Sequence, residues 1–102
     1  MTAEFGPYIQ MRKLAQQMAI QYQKDPAIDL APLLAHFMDE VEVNVASDRF
    51  DHSGFMEKIR GPLKLDAEVT LDHRRKEFLK AVADALQERI EREADAATLP
   101  VS

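Results

Sequence analysis

The chain lacks cysteine, glycine-rich segments and long apolar runs. The absence of cysteine excludes disulfides, thiolate zinc sites and cysteine nucleophiles, and it favours a reducing compartment. With 3 glycines in all, the chain has no glycine-rich phosphate loop. No apolar run approaches the roughly 20 residues that span a bilayer. The first residues also lack the basic and apolar regions of a signal peptide. We therefore expect a soluble, cytoplasmic protein.

The length of 102 residues fits one domain, and 46% apolar with 30% charged residues is the composition of a globular protein. We predict a single α+β domain over residues 1–96 and a frayed tail over 97–102. A domain of this size buries only about two-thirds of the surface that its unfolded chain exposes. Contact with a partner, or with a second copy, would therefore add useful stability.

Two amphipathic helices are predicted in the first half of the chain. Apolar residues at spacings of three and four run from Tyr8 to Tyr22, which indicates a helix over about 7–24 that ends before Pro26. A second stripe predicts a helix over about 30–41, with Asp29 as its N-cap. The short connection between them favours an antiparallel pair.

The spacing of apolar residues then changes to two, which is typical of β-strands. Three valines alternate with polar or small residues over 41–46, although Val41 also completes the helical stripe before it. A polar segment over 47–54 reads as a loop, and Gly61-Pro62 as a helix breaker. Apolar and charged residues then alternate without a fault over 63–71. We predict a small antiparallel sheet of these two strands.

The last predicted element is an amphipathic helix over about 73–93, which Asp72 can cap. The expected fold is thus α+β, with two helices, a two-stranded sheet and a helix that covers it. Two strands alone are marginal in water. The sheet would be covered by helices or extended by a strand from a second subunit, and the second option favours a homodimer.

Charge is distributed unevenly along this acidic chain of net charge −5. Acidic residues dominate 25–57 and basic residues dominate 58–80. Arg74, Arg75 and Lys76 fall in the first turn of the last predicted helix, with Lys80 one turn further on. Cations at that end oppose the helix dipole by a few tenths up to about 1 kcal/mol each. The sequence tolerates them there, which makes these four residues the candidate site for an anion or an acidic partner. The alternative is a solvated helix face.

Other constellations are weaker. His36 and Glu40 are one helical turn apart, a spacing that suits a metal or a base with an orienting acid, but a boundary ion pair explains it as well. Asp48, Asp51 and Ser53 resemble part of a calcium loop, but Ile59 stands where the bidentate glutamate is needed. Neither pattern predicts a cofactor, and Ser47 and Ser53 lack a nucleophile elbow.

Three functional hypotheses follow. The first is a non-enzymatic interaction protein, an adaptor, regulator or subunit, that contacts another protein and associates with itself. The second is a nucleic-acid-associated regulator that contacts phosphates through Arg74, Arg75 and Lys76, with Lys58, Arg60 and Lys64 as further contacts. The third is a metal- or carboxylate-dependent enzyme at His36 and Glu40. The sequence favours the first, because no catalytic constellation stands out and the net charge of −5 opposes non-specific nucleic-acid binding.

Overall fold

The computed structural model describes residues 6–46 and 54–98, which form four α-helices. They are α1 (Gly6–Lys24), α2 (Leu30–Val45), α3 (Phe55–Val69) and α4 (His73–Thr98). This part of the chain contains no strand, so the fold is a helical bundle. The predicted α+β class is wrong. The first two helices and the start of the last one lie where the periodicity placed them.

The segment 63–71, predicted as a strand, belongs to α3 up to Val69. The burial of its apolar residues decides between the two structures. A strand would bury Leu63, Leu65, Ala67 and Val69 together, but Leu63 and Ala67 are 0% and 5% exposed, whereas Leu65 and Val69 are 62% and 75% exposed. The buried residues lie four apart and continue the face of Ile59. An alternation of period two contains every fourth residue, so this pattern also fits a helix.

The Gly61-Pro62 pair does not end the helix as predicted, because α3 passes through it. A proline inside a helix loses one backbone hydrogen bond and clashes with the preceding turn. Part of the usual penalty comes from the residue before the proline, whose Cβ meets the proline ring. Gly61 has no Cβ, which relieves that contact. Buried Leu63 and Ile59 on either side hold the helix together across the pair.

The second predicted strand, over 41–46, is also wrong, since α2 continues to Val45. Val41 is completely buried one turn after Phe37, whereas Val43 is 63% exposed. The valines therefore follow the helical stripe rather than the pleat of a strand. The amide of Ala46 donates to the carbonyl of Glu42 and closes the last turn. β-branched residues favour strands only weakly, and tertiary packing overrides that preference here.

The bundle is built around α4, which packs against each of the other three helices. α1 also contacts α2 and α3, whereas α2 and α3 make little contact with each other. Tyr8 stacks near Phe55 and Gln23 bonds to Asp72, so α1 and α3 run in the same direction. The core residues that are at most 1% exposed come from all four helices: Ala15, Ala19, Phe37, Val41, Phe55, Ile59, Leu63, Phe78, Val82 and Leu86.

Two aspartates set the ends of the helices that matter for the site. After α1, the carboxylate of Asp25 accepts a hydrogen bond from the amide of Ala27 at 3.0 Å. This bond closes a tight turn that contains Pro26, directly after the end of the helix. At the start of α4, the carboxylate of Asp72 accepts from the amide of Arg75 at 2.9 Å. The predicted cap is confirmed. Its negative charge offsets part of the dipole penalty of the neighbouring cations.

None of these four helices is long and apolar enough to cross a membrane. Residues 47–53 of the loop predicted over 47–54 lie outside the described residues, and so do residues 99–102 of the tail predicted over 97–102.

Candidate functional site

The structure places the four cations predicted as one site, Arg74, Arg75, Lys76 and Lys80, in different surroundings. Consecutive residues of a helix point in directions about 100° apart, so Arg74, Arg75 and Lys76 diverge. Arg74 turns to α1, Arg75 lines a cleft beside α1 and α3, and Lys76 joins Lys80 in a groove against α3. The prediction of four cations acting together is therefore replaced by three separate environments.

Arg74 is half-buried, and its guanidinium is bound to the end of α1. Its Nε donates to the carbonyl of Tyr22 at 2.7 Å, and Nη2 makes longer bonds to the carbonyls of Asp25 and Ile28, at 3.3 and 3.5 Å. Its Cζ lies 3.8 Å from the centre of the Tyr22 ring. The carbonyls at a helix C-terminus lack intrahelical donors and carry partial negative charge. Arg74 thus caps the end of α1 and the turn into α2.

Lys76 and Lys80 line one side of a groove whose other side is Arg60 and Lys64 of α3. We call this the α3–α4 groove; its cavity has a volume of about 400 Å³. Alanines form part of its floor, and three polar side chains complete the lining. The residues besides the four cations are Ala67, Glu68, Ala83, Asp84 and Gln87. The groove carries four cations and two carboxylates, so its net charge is +2 in a protein of net charge −5.

The four cations of the groove have no hydrogen-bond or salt-bridge partner in the described part of the chain. The Nε of Arg60 is in addition buried without an acceptor. A buried donor without a partner costs about 1–3 kcal/mol, and more when it is charged. An anionic ligand in the groove would supply the missing acceptor. Of the three further cations that the basic segment offered, Arg60 and Lys64 join the groove, whereas Lys58 lies 5.3 Å from the centre of the Tyr8 ring.

Two other basic residues fasten the helices to one another. Arg12 of α1 makes a two-pronged contact with Asp66 of α3, at 2.9 and 2.7 Å, which holds the pKa of that carboxyl below its ordinary value. Arg89 of α4 donates to Glu42 of α2, which raises the pKa of the guanidinium. The first pair orients α3 on α1, and the second orients α2 on α4. Arginine occurs both in these ion pairs and in the groove, so the position of a cation decides whether it has a partner within the described part of the protein.

Among the described residues, no further metal-ligating side chain accompanies His36 and Glu40. Both lie on α2, where His36 is exposed and Glu40 is half-buried. No group of three metal-ligating side chains occurs within residues 6–46 and 54–98. The alternative prediction, an ion pair between His36 and Glu40, is not seen in this part of the chain either. Asp48, Asp51 and Ser53, which resemble part of a calcium loop, lie outside the described residues.

Sequence reasoning grouped the cations by their position in the chain and so missed the groove. The signal was present in the spacing, because Arg60–Lys64 and Lys76–Lys80 are both four residues apart. Residues four apart share a helical face. This signal became visible only with α3 as a helix, since a strand over 63–71 separated Arg60 from Lys64.

Comparison with protein-family models, with curated proteins and with solved structures finds no match to this chain.

Proposed function

We propose that this protein is a non-enzymatic interaction protein that binds an acidic segment of another protein in the α3–α4 groove. One observation carries the proposal: four cations from two helices line one groove, and none has a partner among the described residues. Of the arginines elsewhere in the bundle, Arg12, Arg74 and Arg89 have internal acceptors, whereas the Nε of Arg75 has none in the described part of the chain. Unpaired cations concentrated in a concave surface favour association with an anionic partner.

The geometry of the groove suits a helical partner. Residues four apart on a helix are separated by about 6 Å along its axis. Lys76 and Lys80 repeat at this distance, as do Arg60 and Lys64 on the facing helix. Acidic residues at positions i and i+4 of a partner helix repeat at the same distance. The small side chains of Ala67 and Ala83 allow such a helix to approach closely.

An acidic peptide fits the groove better than a nucleic acid does. Glu68 and Asp84 line the groove and would repel a continuous phosphate backbone, whereas a peptide can offer them a lysine or a polar residue. None of the described residues that line the groove is aromatic, so none offers a ring for base stacking. Arg74, which the phosphate hypothesis required, is bound to the end of α1.

The strength of binding should depend on salt. Exposed ion pairs contribute about 0.2–1 kcal/mol each and are screened over about 10 Å at 0.1 M ionic strength. Four such pairs, with the groove partly shielded from solvent, give a modest affinity. We expect binding to weaken steadily as salt is raised, in the manner of a transient contact.

The test is fluorescence polarisation with a labelled helical peptide that carries glutamates four residues apart, compared with the same peptide carrying glutamines. The double variant Lys64→Gln with Lys80→Gln removes two cations of the groove. The matched control is Lys13→Gln with Lys24→Gln, which removes the same charge from exposed positions of α1. We expect the groove variant to bind roughly tenfold more weakly, since two ion pairs of about 0.7 kcal/mol are lost, and the control to bind as the wild type does.

Equal losses in the two variants would contradict the proposal, because net charge alone would then explain binding. A labelled single-stranded oligonucleotide of equal charge should bind more weakly than the acidic peptide. Tighter binding of the oligonucleotide, lost in the same groove variant, would favour the phosphate-binding function instead.

Self-association is a separate prediction. Its first reason, a small sheet in need of cover, is gone with the sheet. What supports it now is the exposure of Leu65, Val69 and Leu71, which are 62%, 75% and 98% exposed at the end of α3 and just beyond it. Sedimentation velocity at micromolar concentration tests it, and a monomer of 11.6 kDa throughout would exclude it.

A further inference from the structure

A second cleft lies where α1, α3 and the start of α4 meet, and it is separate from the α3–α4 groove. Its volume is about 290 Å³. One wall is aliphatic, formed by Ile20, Val69 and Leu79, and the remaining lining includes the polar residues Gln16, Asp66, Thr70 and Arg75. We call it the Arg75 cleft. The cleft combines aliphatic side chains with polar groups in about equal share, and its volume lies just below the roughly 300–1,000 Å³ that is usual for small-molecule sites.

The carboxylate in the cleft already has its partners. Arg12 and Gln16 of α1 both donate to Asp66, and the Arg12 contact keeps the pKa of that carboxyl low. The hydroxyl of Thr70 donates to the backbone carbonyl of Asp66. The acidic and hydroxyl groups of the cleft are therefore engaged within the protein.

Arg75 is the group that lacks a partner. Its backbone amide donates to Asp72 and so belongs to the cap of α4, but its guanidinium forms no ion pair in the described part of the chain. The Nε of Arg75 is moreover buried and has no hydrogen-bond acceptor. A guanidinium N–H without an acceptor, close to aliphatic side chains, suits a ligand that has an anionic acceptor attached to a short apolar chain.

We propose that the Arg75 cleft binds a small aliphatic carboxylate. The carboxylate accepts hydrogen bonds from the guanidinium of Arg75, and the aliphatic chain lies against Ile20, Val69 and Leu79. A monoanion fits better than a phosphate dianion, because the ionised Asp66 stands in the same cleft and Arg75 is the one cation among the described lining residues. The site requires neither the α3–α4 groove nor an acidic protein partner.

The test uses hexanoate as the probe and observes the Arg75 side chain directly. In ¹H–¹⁵N spectra of the labelled protein, we expect the Nε–H resonance of Arg75 to shift saturably as sodium hexanoate is added. Hexanol lacks the charge and inorganic phosphate lacks the chain, so each should shift the resonance far less. Arg75→Gln should weaken hexanoate binding by roughly tenfold or more, since one charge-assisted hydrogen bond is lost. The charge-matched control, Arg92→Gln on an exposed turn of α4, should bind hexanoate as the wild type does.

The proposal is overturned if hexanoate leaves the Arg75 resonance unmoved while the protein stays folded. It is also overturned if phosphate and hexanoate produce equal shifts, because the aliphatic wall would then contribute nothing. Equal weakening in Arg75→Gln and Arg92→Gln would likewise exclude a specific contact. The shift of the wild-type resonance needs no substitution, so a poorly folded Arg75→Gln variant leaves the test intact.

Discussion

Arg74 is the residue whose role changes most between sequence and structure, and its replacement gives the sharpest prediction. As a ligand-binding cation, Arg74 would be dispensable for folding. As the cap of α1, it joins the start of α4 to the end of α1 and to the turn before α2. Arg74→Ala should therefore lower the stability of the whole bundle and leave the binding of an acidic peptide to the groove unchanged.

The expected size of this effect follows from the contacts. The bond from Nε to the Tyr22 carbonyl, at 2.7 Å, is short and charge-assisted, and such bonds contribute about 1.5–3 kcal/mol. The bonds of 3.3 and 3.5 Å lie beyond the usual range for N–H donors and add little. Stacking over the Tyr22 ring adds about 0.5–1 kcal/mol. The sum is about 2–4 kcal/mol, which in a domain near 100 residues lowers Tm by roughly 10–25 °C.

Thermal and urea unfolding followed by circular dichroism measure this loss. Lys76→Ala is the control, since it removes one positive charge two residues from Arg74. The Lys76 side chain has no partner in the described part of the chain, so the loss in free energy of unfolding should stay within about 0.5 kcal/mol. Arg74→Lys keeps the charge but not the planar fork, so its stability should fall between wild type and Arg74→Ala. If Arg74→Ala unfolds at the same temperature as Lys76→Ala, the capping role is wrong.

Three further predictions concern α3. Leu63→Ala should cost about 2–5 kcal/mol and Leu65→Ala less than about 0.5 kcal/mol in urea unfolding, because Leu63 is in the core and Leu65 is exposed; equal costs would revive the strand. Pro62→Ala restores a missing hydrogen bond inside α3, whereas the loss of the proline lets the unfolded chain sample more conformations. We expect a net stabilisation of about 1–2 kcal/mol, and a lower Tm would contradict this. The third prediction concerns Asp66, whose pKa in the folded state lies below its ordinary value of 3.8. The ionised carboxylate therefore adds to the free energy of unfolding above about pH 4, and this addition is lost as the pH falls through the lowered pKa. Asp66→Asn should thus lose less stability than the wild type between pH 5 and pH 2, roughly the span over which such a carboxylate titrates; an unchanged difference across this range would refute the coupling to Arg12.

Local sequence was sufficient for α1, the first part of α2 and the start of α4. The stripes of apolar residues at spacings of three and four have one interpretation there, and Pro26 and Asp72 mark the ends. Local sequence was insufficient for α3. Apolar residues stand at every second position from Leu63, and among them Leu63 and Ala67 are four residues apart, which also fits one face of a helix. A strand would bury all of them on one face of a sheet. The structure instead buries the pair against the bundle and leaves Leu65 exposed.

The sequence by itself determined the helical stripes, the cap at Asp72 and the concentration of positive charge over 58–80. Tertiary structure alone decided that 63–69 is helical, that Arg74 binds the end of α1, and that Arg60 and Lys64 face Lys76 and Lys80 across a groove. The physical reason is the same in each case. A side chain's burial and its hydrogen-bond partners depend on residues far away in the sequence, as Arg74 and Tyr22 are 52 positions apart, and local periodicity does not contain that information.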